Sequence, residues 1–167
     1  MLKIYSQKGH STMLKYFAVL VLLVVVYTEV ESKCPTVCGK GWKFSRITGM
    51  CYRLYTYRRT WRQSFYACRN VGAYLVRINN RREFNVVKTF ARSFWVNGKR
   101  HCYKKRFTFG LSIFTYSRPY VYWARGEPNN KGGNEDCLQI VNRRNNDNRC
   151  NRKMYYVCEK APKFPKY

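Results

Sequence analysis

The amino-acid sequence predicts an α+β domain that is closed by disulfide bonds. Two segments, 60–72 and 79–91, carry apolar residues at the spacing of one helix face. Segments that favour strands lie on either side of them, at 51–57 and again at 137–141 and 154–158. The chain also contains 8 Cys, and all of them follow residue 33. An even number of cysteines is typical of a disulfide framework outside the cytosol.

An apolar leader precedes the cysteines. Residues 16–27 contain no charged side chain, Lys15 precedes them, and Val30 and Ser32 occupy the positions that a signal peptidase reads. The run is much shorter than the roughly 20 residues that span a bilayer. It therefore predicts a signal peptide over 1–32, cleaved near Ser32. A signal anchor that stays in the membrane is the alternative.

The first elements after the leader are a hairpin and two helices. Aromatic and polar residues alternate through 38–58, with glycines between them, and this pattern predicts a short hairpin. Thr60 is expected to cap a helix that ends at Gly72. The segment 79–91 predicts a second helix with its apolar residues on one face.

Strands and loops are expected in the remaining sequence. Residues 75–78 indicate a strand or a buried turn between the helices. From Trp95 the aromatic-rich sequence predicts loops until the strand at 137–141, and 154–158 predicts the last strand. The Pro-containing tail, 161–167, is expected to fray. One domain over 33–167 accounts for these elements.

The chain is strongly basic, with 33 Lys and Arg, 8 Asp and Glu, and a net charge of +25. Removal of the leader leaves 30 basic and 6 acidic residues, a net charge of +24, so the charge belongs to the domain. The basic residues are dispersed, which fits either a merely solvated surface or attraction to an anionic partner. Sulfated glycans, bacterial surfaces and acidic mineral-associated polymers are candidates. Secretion argues against nucleic acid as the partner.

Catalysis is not expected. His10 and His101 are the only histidines, so chemistry that needs a pair of histidines is nearly excluded. We expect His101 in a surface loop beside Cys102. The chain is therefore predicted not to be an enzyme.

The few acids are clustered. Four of the six carboxylates of the domain fall within 127–147, where Asn residues are interleaved with them. Carboxylate and amide oxygens are hard donors, and Ca²⁺ takes roughly 6–8 of them. Asn and Asp also favour turns. Composition alone leaves calcium ligation and a turn-rich surface equally open.

The order of residues in this segment distinguishes the two interpretations. Glu127-Pro128-Asn129-Asn130 is followed by Glu135-Asp136-Cys137, by Asn146-Asp147 shortly before Cys150, and by Tyr156-Val157-Cys158-Glu159. Upstream, the pattern continues in Cys38, Trp42, Cys51-Tyr52, Thr60-Trp61, Cys68, Gly72-Ala73 and Glu83-Phe84. With these motifs, over about 38–160, the chain resembles the C-type lectin family in its secreted, long form with the mannose-type Glu-Pro-Asn motif. The resemblance implies two helices, small antiparallel sheets and a long calcium- and sugar-binding loop region.

The resemblance also implies how the cysteines pair. It implies the disulfides Cys38–Cys51, Cys68–Cys158 and Cys137–Cys150. Cys34 and Cys102 are left over. They are expected to pair with each other, and an interchain bridge that would hold an oligomer is the alternative.

A binding site follows from the same resemblance. In the family, one Ca²⁺ and two vicinal sugar hydroxyls are held by the positions that match Glu127, Asn129, Glu135, Asn146 and Asp147. The peptide bond before the position of Pro128 is cis, a form that is accessible mainly before proline. Glu-Pro-Asn resembles the type that prefers mannose, glucose, fucose or N-acetylglucosamine, whereas the galactose type carries Gln-Pro-Asp.

The sequence departs from the family pattern in three places. Asn145 replaces the Trp that precedes the Asn-Asp pair, which predicts a looser loop. The Trp-Ile-Gly-Leu motif of the family matches Trp95-Val96-Asn97-Gly98, with Gly110-Leu111 as the rival match. No carboxylate occurs between Glu83 and Glu127, so we expect one calcium ion, and we expect Asp136 to act as a salt-bridge partner.

Two hypotheses remain. The first is a secreted, calcium-dependent carbohydrate-binding lectin without a membrane span. The alternative is a strongly cationic structural or effector protein on the same fold, which binds anionic matrix, mineral-associated polymer or microbial surfaces and has weak or no sugar binding. Defence, shell or matrix formation and gamete recognition are all compatible with the sequence.

Overall fold

The computed structural model describes residues 15–23, 37–101, 104–110 and 117–163. The chain divides into two units, 1–36 and 37–167. In the first unit, residues 15–23 form a helix whose apolar side chains are exposed. Within the described ranges, no helix combines the length and the apolar character needed to cross a membrane. The predicted cleavage near Ser32 falls outside the described residues and stays a prediction.

A mixed eight-stranded sheet organises the second unit. Its strands are β1 (Lys43–Ser45), β2 (Met50–Arg59), β3 (Tyr74–Leu75), β4 (Ser93–His101), β5 (Lys104–Thr108), β6 (Cys137–Val141), β7 (Arg144–Asn148) and β8 (Met154–Lys160). The strand order is β1-β2-β8-β4-β6-β7, with β3 also paired to β8 and β5 to β4. The β4–β8 pair is parallel, and the other pairs are antiparallel. The predicted α+β class is confirmed.

Both predicted helices are present, and their first residues are capped. Helix α1 spans Trp61–Asn70, and helix α2 spans Arg81–Val87. The Thr60 hydroxyl accepts from the Gln63 N–H at 3.2 Å, and the Gln63 side chain accepts from the Thr60 N–H at 3.0 Å. This reciprocal pair satisfies two N–H groups at the start of α1. Asn80 caps α2, which is shorter than the predicted 79–91 because it ends at Val87.

The prediction of loops between Trp95 and the strand at 137 is wrong in its first part, because β4 and β5 lie there, whereas the described residues 117–136 contain no strand. In β4, Phe94 to Gly98 are buried without interruption. A strand that is covered on both faces shows no alternation of apolar and polar residues, so its pattern is hidden. His101, expected in a surface loop, is buried at the end of this strand.

Gly98 allows β6 to approach β4 closely. A Cβ atom on Gly98 would lie 2.8 Å from Cδ2 and 2.9 Å from Cβ of Leu138, which is fully buried. Of the two strings that match the family's core motif, Trp95-Val96-Asn97-Gly98 is the one that the structure places in the sheet. Leu111, in the rival string, lies outside the described residues.

Two clusters of buried side chains form the core. One contains Phe84 and Val87 from α2 together with Phe94 and Leu138 from the sheet. The other is built around Trp61 of α1 and Trp95 of β4. The Trp61 indole N–H donates to the Val96 carbonyl at 2.8 Å, and that of Trp95 donates to the Arg59 carbonyl at 3.0 Å. Both buried indoles therefore have a hydrogen-bond acceptor.

Three disulfides tie these elements together, as the resemblance implied. Cys38–Cys51, Cys68–Cys158 and Cys137–Cys150 are all formed. The second joins α1 to β8 across 90 residues, and chain-entropy arguments assign roughly 4 kcal/mol to a closed loop of that length. Cys34 and Cys102 lie outside the described residues, so their pairing stays a prediction.

A buried carboxylate lies on β8. The Glu159 side chain is 2% exposed, and the Arg77 Nε donates to its Oε1 at 2.9 Å. Burial raises the pKa of Glu159 from 4.5 to about 7, and the contact with Arg77 opposes that rise. Removal of the carboxylate from water thus outweighs its ion pair.

The raised pKa of Glu159 predicts a specific pH dependence of stability. Between pH about 4.5 and 7 the folded protein keeps a proton that the unfolded chain releases. The stabilising contribution is therefore full below about 4.5 and is lost as the pH rises through about 7. We expect the free energy of unfolding to fall by up to about 1.4 kcal/mol per pH unit in this window. Urea unfolding at several pH values should show a weaker slope for Glu159→Gln, and equal slopes for both proteins would contradict this assignment.

Candidate functional site

The five residues predicted to form a site come from one loop region and one strand. Glu127, Asn129 and Glu135 lie in the segment that leads into β6, whereas Asn146 and Asp147 lie on β7. A short 3-10 turn, Lys131–Gly133, separates Asn129 from Glu135. Strands β6 and β7 are paired, and Leu138 of β6 lies opposite Asp147 of β7. The segment that leads into β6 therefore lies beside the strand that carries Asn146 and Asp147.

Glu127 and Asn129 contact each other directly. The Glu127–Pro128 peptide bond is cis, as the resemblance implied. The Asn129 Nδ2 donates to Glu127 Oε1 at 2.8 Å, and the Asn129 N–H donates to Glu127 Oε2 at 3.1 Å. Both carboxylate oxygens of Glu127 are thereby oriented by a single neighbour.

The carboxylate of Asp147 holds the backbone of this loop. Asp147 is fully buried. Its Oδ1 accepts from the Asn129 N–H at 3.2 Å, and its Oδ2 accepts from the Asn130 N–H at 3.0 Å. These bonds join loop and strand across 17 and 18 residues of sequence.

Glu135 is connected to the same network through Asn130 and Lys131. The Lys131 N–H donates to Glu135 Oε2 at 3.0 Å, and the Glu135 N–H donates to Asn130 Oδ1 at 3.0 Å. Asn130 has a left-handed backbone, with φ of 45°. Asn tolerates this conformation better than most residues because its side chain can hydrogen-bond locally. Asn130 was not predicted as a site residue, although its place in an Asn-Asn pair is typical of such turns.

Asn146 is the least connected of the predicted residues. Among the described contacts, its side chain interacts only with the carbonyl oxygen of Asp147. The structure therefore joins Glu127, Asn129, Glu135 and Asp147 in one hydrogen-bond network and places Asn146 beside it on β7.

Arg100 is a site residue that the sequence alone does not reveal. This β4 side chain, 17% exposed, contacts Asp147 Oδ2 through its Nη2. The same nitrogen donates to the Glu135 carbonyl at 2.9 Å. The Nε of Arg100 lies 3.6 Å from Asp136 Oδ1, so the expected role of Asp136 as a salt-bridge partner is confirmed. Nothing in the sequence distinguishes Arg100 from the other basic residues.

Negative charge is concentrated at this site. The pKa of Glu127 is raised, first by burial and then by the neighbouring carboxyl of Asp147 and the charge of Glu135, while the Asn129 N–H opposes the rise. Like charges that approach closely disfavour each other's ionised form. In the described part of the chain, Arg100 is the only cation in an ion pair with a carboxylate of this region, through Asp147 and Asp136, although the chain as a whole carries +25.

The donor chemistry fits a hard divalent cation. Carboxylate and amide oxygens are the ligands that Ca²⁺ takes, and crowded carboxylates favour a positive charge between them. Within the described ranges, no three His, Cys, Asp or Glu side chains meet closely enough to hold a metal by themselves. A cation at this site therefore needs the amide oxygens of Asn129 and Asn146 in addition to the carboxylates.

Asn145, where the sequence predicts a looser loop, forms hydrogen bonds with segment 122–124. It is fully buried, and its Oδ1 accepts from the Tyr122 N–H at 2.7 Å. Its backbone N–H donates to the Tyr122 carbonyl at 2.8 Å, and its carbonyl accepts from the Ala124 N–H at 2.9 Å. The side chain that replaces the family's Trp therefore adds one hydrogen bond to the backbone contacts between segment 122–124 and β7, and its buried Nδ2 has no hydrogen-bond partner among the described residues.

Comparison with known proteins identifies relatives over most of this unit. A sequence model described as "Lectin C-type domain" matches residues 57–160. The C-type lectin domain family 4 member M of Nomascus concolor is 34% identical over 137 residues, which cover 74% of this chain and 31% of the relative. The human CD209 antigen is 31% identical over 134 residues, which cover 72% of this chain and 30% of the relative. The chain therefore spans about a third of the length of these curated relatives.

Solved structures share the fold. The carbohydrate-recognition domain of the human scavenger receptor C-type lectin has a TM-score of 0.64 at 25% identity and covers 74% of this chain and 98% of its own. The corresponding domain of cow CD23, solved with a GlcNAc2Man3 oligosaccharide, has a TM-score of 0.66 at 24% identity over 76% and 98%. A calcium-independent type II antifreeze protein has a TM-score of 0.63 at 21% identity over 75% and 95%. These likenesses confirm the predicted fold, and the last shows that the fold alone does not determine the ligand.

The contact between Arg100 and Asp147 makes a prediction about stability. Arg100→Gln leaves the buried carboxylate of Asp147 without its cation, which we expect to lower the free energy of unfolding by about 3 kcal/mol. Chemical unfolding in the presence of EDTA measures the change without interference from added metal. Arg125→Gln is the matched control, because Arg125 is an exposed arginine in the same region. Equal stability of the two variants would contradict the role given to Arg100.

Proposed function

The chain belongs to the C-type lectin domain family, and on that basis we propose that it is a calcium-dependent carbohydrate-binding lectin. The observation that carries the proposal is the hydrogen-bond network that unites Glu127, Asn129 and Asp147. Glu135 joins the same network through Lys131. The arrangement brings together oxygen donors that are far apart in sequence, and it concentrates negative charge on a basic domain.

The proposed site consists of Glu127, Asn129, Glu135, Asn146 and Asp147. Bound calcium would supply coordination positions for two vicinal sugar hydroxyls. The carboxylates of Glu127 and Glu135 accept hydrogen bonds from those hydroxyls, and the amides of Asn129 and Asn146 donate to them. Asp147 has a second task, because its buried carboxylate keeps the loop backbone in place. Calcium sites of extracellular modules have dissociation constants of about 10⁻⁴–10⁻³ M, so binding requires calcium near the millimolar level.

The proposed ligands are sugars of the mannose type. The order Glu127-Pro128-Asn129 places an acceptor before a donor, which resembles family members that prefer mannose, glucose, fucose or N-acetylglucosamine. The cow CD23 domain of the same fold was solved with an oligosaccharide that contains mannose and N-acetylglucosamine. Both observations favour a neutral hexose with vicinal equatorial hydroxyls.

We further propose that the protein is secreted and is not an enzyme. The signal peptide is assigned to 1–32 and the lectin domain to 33–167. The three disulfides support an oxidising compartment. Cys34 and Cys102 either pair with each other or link two chains. The proposed binding partners of the protein are glycoconjugates.

Retention on mannose resin tests the proposal. The wild-type protein is expected to be retained at millimolar calcium and to elute with EDTA. Glu135→Gln removes one charged donor and is expected to abolish both retention and the rise in unfolding temperature with added calcium, because the site loses a carboxylate. Asp136→Asn is the matched control. Asp136 is the next residue in the sequence, and its side chain is 44% exposed. The variant removes the same charge as Glu135→Gln, and it should preserve both the retention and the calcium-dependent rise in unfolding temperature. Retention that persists in EDTA would contradict calcium-dependent binding.

The sugar preference is tested separately. The double variant Glu127→Gln, Asn129→Asp converts the motif to the Gln-Pro-Asp type without changing the net charge. We expect the preference to move from mannose toward galactose, because the donor and the acceptor exchange places around the hydroxyls. Competition with the two free sugars measures the preference, and the calcium-dependent thermal shift verifies that the site still forms. An unchanged preference for mannose would show that the motif does not select the sugar here.

A further inference from the structure

A basic groove surrounds the turn between β6 and β7. Its first part is a cavity of about 510 Å³ whose lining includes Arg81, Lys88, Arg143 and Arg144. A second cavity of about 460 Å³ shares Lys88 and Arg143 with the first and adds Arg92. The two cavities are therefore adjacent, with shared residues between them.

The basic groove continues past Arg92. A third cavity of about 400 Å³ shares Arg92 and Asn142 with the second, and its other cations are Arg58, Arg152 and Lys153. In the part of the chain that the structure describes, no Asp or Glu lines any of the three cavities. Among the described residues, the salt bridges involve only Arg77 and Arg100, so none of the groove cations pairs with a carboxylate there.

Neutral partners hold several of these cations in position. The Arg92 Nε donates to Asn142 Oδ1 at 3.0 Å. The guanidinium of Arg144 lies 3.9 Å from the ring centroid of Tyr122. The Lys88 Nζ donates to Asn85 Oδ1 at 2.7 Å. These contacts order the side chains without neutralising them, which lowers the entropic cost of binding an anion.

The turn contains an arginine at a position whose backbone conformation favours glycine. Asn142 and Arg143 connect the paired residues Val141 and Arg144, and both have positive φ, 48° and 63°. A two-residue hairpin turn of this kind favours Asn followed by Gly. A Cβ atom makes the left-handed region sterically costly. Arg143 bears this cost at a position that lines two of the three cavities.

We propose that the basic groove is a second binding site, for a linear sulfated polysaccharide, and that it acts without calcium. Eight positive charges line three adjoining cavities, and the described residues give them no carboxylate partner, which favours a polyanion as the ligand. Guanidinium groups are weakly hydrated and offer paired N–H donors that match oxyanions. The groove contains none of the five residues of the proposed calcium site.

The shape of the basic groove distinguishes this ligand from other polyanions. Single-stranded nucleic acid binds by stacking its bases on exposed rings. Phe84 is buried, and although Tyr122 is 47% exposed, the guanidinium of Arg144 lies over its ring. An anionic membrane presents a flat surface, whereas these charges line a depression. A thin chain of sulfated sugars can enter such a depression and present several sulfates to its cations.

Binding to heparin, a sulfated polysaccharide, tests the proposal. We measure affinity in EDTA at increasing salt. Wild type should bind, and its affinity should fall steeply with salt because exposed charges are screened. Arg92→Gln with Arg144→Gln is expected to weaken binding by about tenfold. The control is Lys40→Gln with Arg46→Gln, which removes the same charge from exposed residues that line none of the three cavities, and it should change the affinity by less than about twofold.

Arg143→Gly separates the loss of charge from damage to the fold. Glycine relieves the left-handed backbone and removes one groove cation, so we expect weaker binding of heparin together with an unchanged or higher unfolding temperature. Equal losses for the groove and control pairs, or unchanged binding by Arg143→Gly, would overturn the site. Tighter binding of single-stranded DNA or of phosphatidylserine vesicles than of heparin would overturn the ligand class.

Discussion

The loop region depends on the interactions of one buried group, the carboxylate of Asp147. It is fully buried on β7, and it is bonded to the N–H groups of Asn129 and Asn130 and to the guanidinium of Arg100. Burial of a charged group is costly unless the group is paired and hydrogen-bonded. The loop N–H groups and Arg100 supply these partners, so their positions are needed for the carboxylate to remain buried. The cis Glu127–Pro128 peptide and the Glu127–Asn129 contacts then follow at the exposed side of the same network.

The sheet and the disulfides place Asp147 where the loop can reach it. β4 lies between β8 and β6, and it carries Arg100 near its end. Cys137–Cys150 closes a loop that contains most of β6 and all of β7. Gly98 lets Leu138 pack directly against β4, and Leu138 is the residue paired with Asp147. The chemistry of the site therefore depends on close packing two strands away.

Local signals made much of this predictable, and long-range contacts account for what was missed. The caps Thr60 and Asn80 and the Glu-Pro-Asn string are visible in neighbouring residues, so the helices and the candidate donors could be named in advance. β4 was missed because a strand buried on both faces has no alternating pattern. Arg100 was missed because it is 47 residues from Asp147, and the folded chain alone brings the two together. The hydrogen bond between the Asn145 side chain and Tyr122 depends equally on tertiary structure.

The cations of the chain include two groups with different partners, those that form ion pairs with carboxylates and those that line the basic groove. In the described part of the chain, carboxylates pair with Arg77 and Arg100, while the cations of the basic groove have amides and aromatic rings as partners. Water and salt reach those groove cations, and ions screen exposed charges over about 10 Å at 0.1 M. The Arg100–Asp147 contact is shielded from both, because Asp147 is buried. One small domain thus separates a carboxylate cluster suited to a divalent cation from a cationic depression suited to a polyanion, and the two surfaces respond to different components of the medium.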